Sequence, residues 1–166
     1  MMFEQDFIDF VQLLNEHQVK YMVVGAYALS VHGRPRHTGD LDIWIKPDAE
    51  NARKMVKVIA DFGFAPLGLT EDDFLRENYV TQLGYPPLRI DILNAISGVD
   101  FDEAYDARLE TEIDGLQISF ISANDFIRNK QASGRAKDLG DIESLEKLKR
   151  KQADEEPTQR KRGRRR

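Results

Sequence analysis

The sequence predicts an α/β, or α+β, fold built on a mixed β-sheet flanked by helices. Three observations carry this. Apolar strands alternate with amphipathic helices through the front of the chain, two pairs of strands joined by short turns follow, and an Asp-Gly pair sits between alternating apolar residues as a hairpin signal.

The elements follow in order. Phe3, Phe7, Phe10, Val11 and Leu14 recur at helical spacing and predict a helix over 3–17. "KYMVVG" reads as a short buried strand ending at Gly25, and "AYALSVH" as a helix stopped by Gly33 and Pro35. "LDIWI" is a strand closed by Lys46-Pro47, after which Asp48 caps a helix expected to run to Gly63. "YVTQLG" and "LRIDIL" flank Tyr85-Pro86-Pro87 as paired strands, and "LETEIDGLQISFI" turns at Asp114-Gly115. Ser122 caps a helix starting near Asn124, and Asp138 or Leu139 opens the last one, with Glu143–Lys147 and Glu146–Arg150 at i,i+4 spacing. Trp44 and the phenylalanines of the first helix read as core. One domain over 1–151 is expected, followed by a disordered basic tail over 152–166, where charge is high and apolar residues are lacking.

Composition excludes several classes. The 166 residues contain no cysteine, so disulfides and thiolate metal sites are absent. No apolar run approaches ~18 residues, and the acidic start "MMFEQDFIDF" lacks the basic region of a signal peptide, so a cytoplasmic protein with no membrane contact is expected. The net charge of −5 conceals a division: "QRKRGRRR" at 159–166 carries six basic residues and no acid, leaving −11 on the remainder. That tail is either a solvated end or a contact for RNA or DNA phosphates.

Chemistry concentrates in "GAYALSVHGRPRHTGDLD" (25–42). On a strand, Asp40 and Asp42 project to one side while Leu41 and Ile43 point to the other. Parallel carboxylates repel, and a hard divalent cation such as Mg²⁺ relieves that repulsion; the plain alternative is a turn with a polar exit. Asp91, between Ile90 and Ile92, joins the pair if its strand neighbours theirs, and three acids on one face can hold two Mg²⁺ ions. Otherwise Asp91 is an exposed strand residue or a partner of Arg89. Gly25-Ala26, where a strand passes directly into a helix, presents free N–H groups to a phosphate or simply makes a tight turn. Arg34 and Arg36 lie between this turn and the acids, within reach of phosphate oxygens or of solvent. Lys130, Arg135 and Lys137 can face phosphates with Asp138 and Asp141 orienting them, or form structural ion pairs. His32 and His37 are too few and too poorly spaced for zinc.

With these residues in view, "VVGAYALSVHGRPRHTGDLDIWI", "RIDIL" and "NKQASGRAKDLGDIESL" resemble, over about residues 5–150, the AbiEii-type minimal nucleotidyltransferases of the DNA polymerase β-like superfamily. Gly25, Asp40, Asp42 and Asp91 match the family pattern; Ala26 departs from the usual Gly or Ser, giving up a hydroxyl but keeping the N–H. The resemblance implies a nucleotidyltransferase-like fold with a C-terminal helical unit. It also implies transfer of a nucleoside monophosphate from an NTP to an acceptor hydroxyl on RNA, protein or a small molecule. Asp40, Asp42 and Asp91 then bind two Mg²⁺ ions and carry catalysis. Gly25, Ala26, Arg34, Arg36, Thr38, Lys130 and Asp138 serve the nucleotide. The family further suggests a toxin–antitoxin or defence role with a cognate toxin or antitoxin partner. The rival reading is a catalytically silent module that binds a nucleotide or a partner.

Overall fold

The computed structural model describes residues 4–33, 39–85, 87–135, 139–140, 142–143, 145–148 and 150. Helix α1 (Gln5–Glu16) buries Phe7, Phe10, Val11 and Leu14 along one stripe, as their spacing dictates. Strand β1 (Tyr21–Val24), helix α2 (Gly25–Val31) and strand β2 (Asp40–Ile45) follow. Helix α3 (Ala49–Ile59) starts where the Asp48 side chain accepts the Asn51 N–H at 2.8 Å, satisfying one of its orphan donors. The chain stays helical up to Gly63, where the backbone turns to φ +102° and ends the run as expected; the last turn, Ala60–Phe64, is of π type, and a 3₁₀ turn over Ala65–Leu67 follows.

Next come α4 (Glu71–Leu75), the hairpin of β3 (Val80–Tyr85) and β4 (Leu88–Leu93), and α5 (Phe101–Asp106). The sequence reading did not include α4 and α5. Both are capped: Thr70 and Asp73 form a capping box, and Asp100 accepts the Glu103 N–H at 3.2 Å. The second hairpin joins β5 (Leu109–Ile113) to β6 (Leu116–Phe120) through Asp114-Gly115, and α6 (Ala123–Ser133) begins at Ser122, whose hydroxyl accepts the Asp125 N–H at 3.1 Å. Residues 139–140, 142–143, 145–148 and 150 are helical, bury Ile142 and Leu145, and carry the Lys147–Glu143 pair at 3.3 Å. Asp138 lies outside the described residues, as does the tail 152–166.

The six strands form one mixed sheet in the order β3-β4-β2-β1-β6-β5. β1 runs antiparallel to β2 and parallel to β6, and β2 runs parallel to β4. Its central place explains why all four residues of β1 are buried. Leu41, Ile43, Ile90 and Ile92 point to one face, under α1; Trp44 projects from the other, its ring edge-on to Phe101 at 5.0 Å. No helix among the described residues is long and apolar enough to cross a membrane.

Candidate active site

The parallel ladder between β2 and β4 pairs Asp40 with Arg89 and Asp42 with Asp91. In-register partners on neighbouring strands point to the same side, so the three acids and Arg89 share the face opposite Leu41, Ile43, Ile90 and Ile92. β1 completes the edge, since Val24 pairs with Asp42 and the chain turns at once into α2. Gly25 makes that turn at φ +69°, and a Cβ there would stand 2.1 Å from Asp42 Oδ2. A glycine is required twice over: by the backbone angle, and by the carboxylate lying against it.

The acids differ in their surroundings. Asp91 is 7% exposed and takes a two-pronged contact from Arg89, Nε to Oδ1 at 2.8 Å and an NH₂ nitrogen to Oδ2 at 3.0 Å. The same guanidinium reaches Asp40 Oδ2 at 3.3 Å. Burial, then the charges of Asp91 and Asp40, push the Asp42 carboxyl up to about 7; Lys130 and Arg89 oppose this.

Beside Asp42 opens a cleft of about 430 Å³ whose walls include Gly25, Ser97, Asn129, Lys130, Ser133 and Arg135. The far wall is α6, held close by two contacts. Asn129 Nδ2 donates to the Ser97 carbonyl at 3.0 Å, and Gly98 lies so near the helix that a Cβ would meet Ala132 Cβ at 2.5 Å. The near end is fixed by buried Asn94, which donates to the carbonyls of Phe74 and Arg76 and accepts the Tyr79 N–H at 2.9 Å. A larger cavity, about 560 Å³, lies under α1 on the opposite face beside Leu83 and Ile90 and includes none of the three acids.

The structure thus brings together Gly25, Asp40, Asp42, Asp91 and Lys130. Ala26 sits in the first turn of α2, its carbonyl accepting the Ser30 hydroxyl at 3.0 Å. Arg34, Arg36, Thr38 and Asp138 lie outside the described residues. His32 is turned to the Ile121 carbonyl at 2.8 Å. Sequence reasoning did not single out Ser97, Asn129 or Ser133 for the cleft, and treated Arg89 only as an alternative partner of Asp91. Its position two residues before Asp91 was the available signal. As a donor set, the carboxylates fit a hard divalent cation: all are oxygen ligands, and their mutual repulsion, expressed at Asp42, is what a cation relieves. Among the described residues no three acidic or histidine side chains stand together as ligands of one ion. The Arg89 guanidinium lies among the carboxylates instead.

Comparison with known proteins gives a family and a fold. A family profile described as "Nucleotidyltransferase of unknown function (DUF6036)" matches residues 5–154. No curated protein matches the chain in sequence. Among solved structures, the lincosamide antibiotic adenylyltransferase LnuA, in its lincomycin-bound form, is similar at 16% identity with a TM-score of 0.54, covering 87% of this chain and 97% of LnuA. TM1012 from Thermotoga maritima, itself a proposed nucleotidyltransferase, is similar at 15% identity with a TM-score of 0.52, covering 92% of this chain and 96% of that one. At these identities the likeness is one of fold.

Proposed function

The chain belongs to the DUF6036 family of nucleotidyltransferases, and from that premise we propose that it transfers a nucleoside monophosphate from an NTP to an acceptor hydroxyl with the aid of Mg²⁺. The observation that carries this reading is the rung that sets Asp42 beside Asp91, with the Gly25 turn against Asp42 and Lys130 across the cleft.

A divalent cation, when bound, supplies electrostatic stabilisation of the charge on the transferring phosphate. Asp42 and Asp91 would hold it, with Asp40 beside them, and the set has oxygens enough for two ions. Gly25 and Ala26 from one wall and Lys130 from the other would grip the triphosphate, with Arg34, Arg36 and Thr38 as further phosphate contacts and Asp138 orienting Lys130. The acceptor oxygen forms a bond to the α-phosphorus. The bond from that phosphorus to the bridging oxygen of the β-phosphate breaks, and pyrophosphate leaves. The acceptor's proton passes to the Asp91 carboxylate.

For the acceptor, the likeness to LnuA supports a small molecule, while the basic tail supports RNA; a protein hydroxyl is the third class. AbiEii-type kinship, a cognate toxin or antitoxin partner, a cytoplasmic site of action, and the division into 1–151 and a tail 152–166 rest on the sequence alone. A second reading, a silent nucleotide- or partner-binding module, draws on the Arg89 guanidinium among the acids. Incubation with Mg²⁺, each α-labelled NTP and cell lysate separates the readings. Label in RNA, protein or a small molecule, lost in Asp42→Asn, supports transfer and names the acceptor class. Nucleotide binding without label transfer supports the silent module.

A further inference from the structure

We propose that Arg89 is a displaceable counterion: it holds Asp91 and Asp40 in the metal-free protein and vacates them when a divalent cation enters. The proposal rests on reading these acids as cation ligands. Both Asp91 oxygens accept from one guanidinium, at 2.8 and 3.0 Å, and the same group bonds Asp40 at 3.3 Å. A carboxylate so engaged has little left to offer a cation, and a guanidinium and a divalent ion at adjacent positions repel. Asp91 is buried and fixed on its strand; Arg89 is long, and its side chain is 26% exposed. Of the two, Arg89 is the one able to move.

Its placement argues against a purely structural pair. Arg89 and Asp91 lie two residues apart on the same strand, so the two-pronged bond itself ties no two elements together; only the longer contact to Asp40 crosses to β2. The β2–β4 tie at this level is already made by the backbone, where the Arg89 N–H donates to the Gly39 carbonyl at 2.9 Å. What the fork does provide is positive charge on a face crowded with carboxylates. Swinging outward, Arg89 would leave Asp91 open as a ligand and as the acceptor of the substrate proton.

The test compares Mn²⁺ binding by calorimetry in wild type, Arg89→Gln and Arg89→Lys. Lysine keeps the charge but loses the planar two-pronged grip. If the fork competes with the cation, both variants bind Mn²⁺ more tightly than wild type, by about tenfold, since the competent state is no longer a minor one. Weaker binding by both variants would show that Arg89 helps to build the cation site and would overturn the proposal. Lysine binding like wild type while glutamine binds tighter would leave only a through-space charge effect and overturn the counterion role. So would equal binding by all three. No Mn²⁺ uptake by any of them would overturn the ligand reading together with the proposal. An independent readout needs no variant: the Arg89 Nε–H resonance of the wild type should shift as Mg²⁺ is titrated, and a resonance that stays in place while Mg²⁺ binds overturns the proposal.

Discussion

Asp42 and Asp91 face each other across one rung of the β2–β4 ladder, yet only Asp91 is held by the Arg89 fork. For Asp42, burial and then the neighbouring carboxylates push the carboxyl up to about 7. Two identical side chains at one level of a sheet therefore respond in opposite ways to loss of charge.

Asp42→Asn should stabilise the metal-free protein, and more so at high pH. The folded state raises this carboxyl above its ordinary value near 3.8, so stability is intact below that pH and falls as pH rises through about 7. At pH 8 the gain is on the order of 2 to 4 kcal/mol; at pH 4 it vanishes. Thermal melts in chelator across this range measure it. Wild-type and variant curves that run parallel would remove the burial argument.

Asp91→Asn should do the reverse. It strips the Arg89 fork of its anionic partner and leaves the guanidinium facing a neutral amide. We expect the metal-free melting temperature to fall, with transfer activity lost as well. A variant as stable as wild type would mean that the fork contributes nothing at rest.

Gly25→Ala should separate folding from function. The left-handed angle costs about 1 kcal/mol, while the new methyl drives the Asp42 carboxylate from its place, since 2.1 Å is no contact distance. The chain should still fold, because the displaced group is the end of a side chain. Label transfer should drop at least tenfold. Normal activity in a folded variant would show that Asp42 works from another position.

Lys130→Met should raise the KM for NTP about tenfold with a smaller change in kcat, the signature of lost ground-state grip. An unchanged KM would assign Lys130 to the structure of α6.

Asn94→Ala should cost about 2 kcal/mol, since it removes a buried amide that serves the Phe74 and Arg76 carbonyls and the Tyr79 N–H. Denaturant unfolding reads this directly, and a loss within error would show that water replaces the amide.

What the sequence made legible was local or strictly alternating. Asp48, Ser122 and Asp114-Gly115 act on backbone within three residues of themselves, so their signals survive without the fold. Asp91 could be read because alternation in "LRIDIL" fixes its side, though its partner on β2 lies 49 residues earlier (91 − 42). The caps of α4 and α5 were present as Thr70–Asp73 and Asp100–Glu103 but belong to helices too short to show a period. The π-turn at Ala60–Phe64 continues the helix before it without a break in the chain signal until Gly63. Arg89 was legible in part: Arg-Ile-Asp offers the pairing with Asp91 but not the reach of the same fork to Asp40 on the next strand.

Gly98 sets the distance between α6 and the segment that follows β4 by the methyl it lacks. That makes it a gauge for the cleft, adjustable apart from the acids. A side chain at 98 would wedge Lys130 and Asn129 outward together, since both ride on the same helix. The aperture offered to a nucleotide would widen while Asp40, Asp42 and Asp91, anchored in the sheet, kept their spacing. Under the proposed function, the width of the cleft and the spacing of the acids are then set by separate parts of the molecule, and one small residue holds the first.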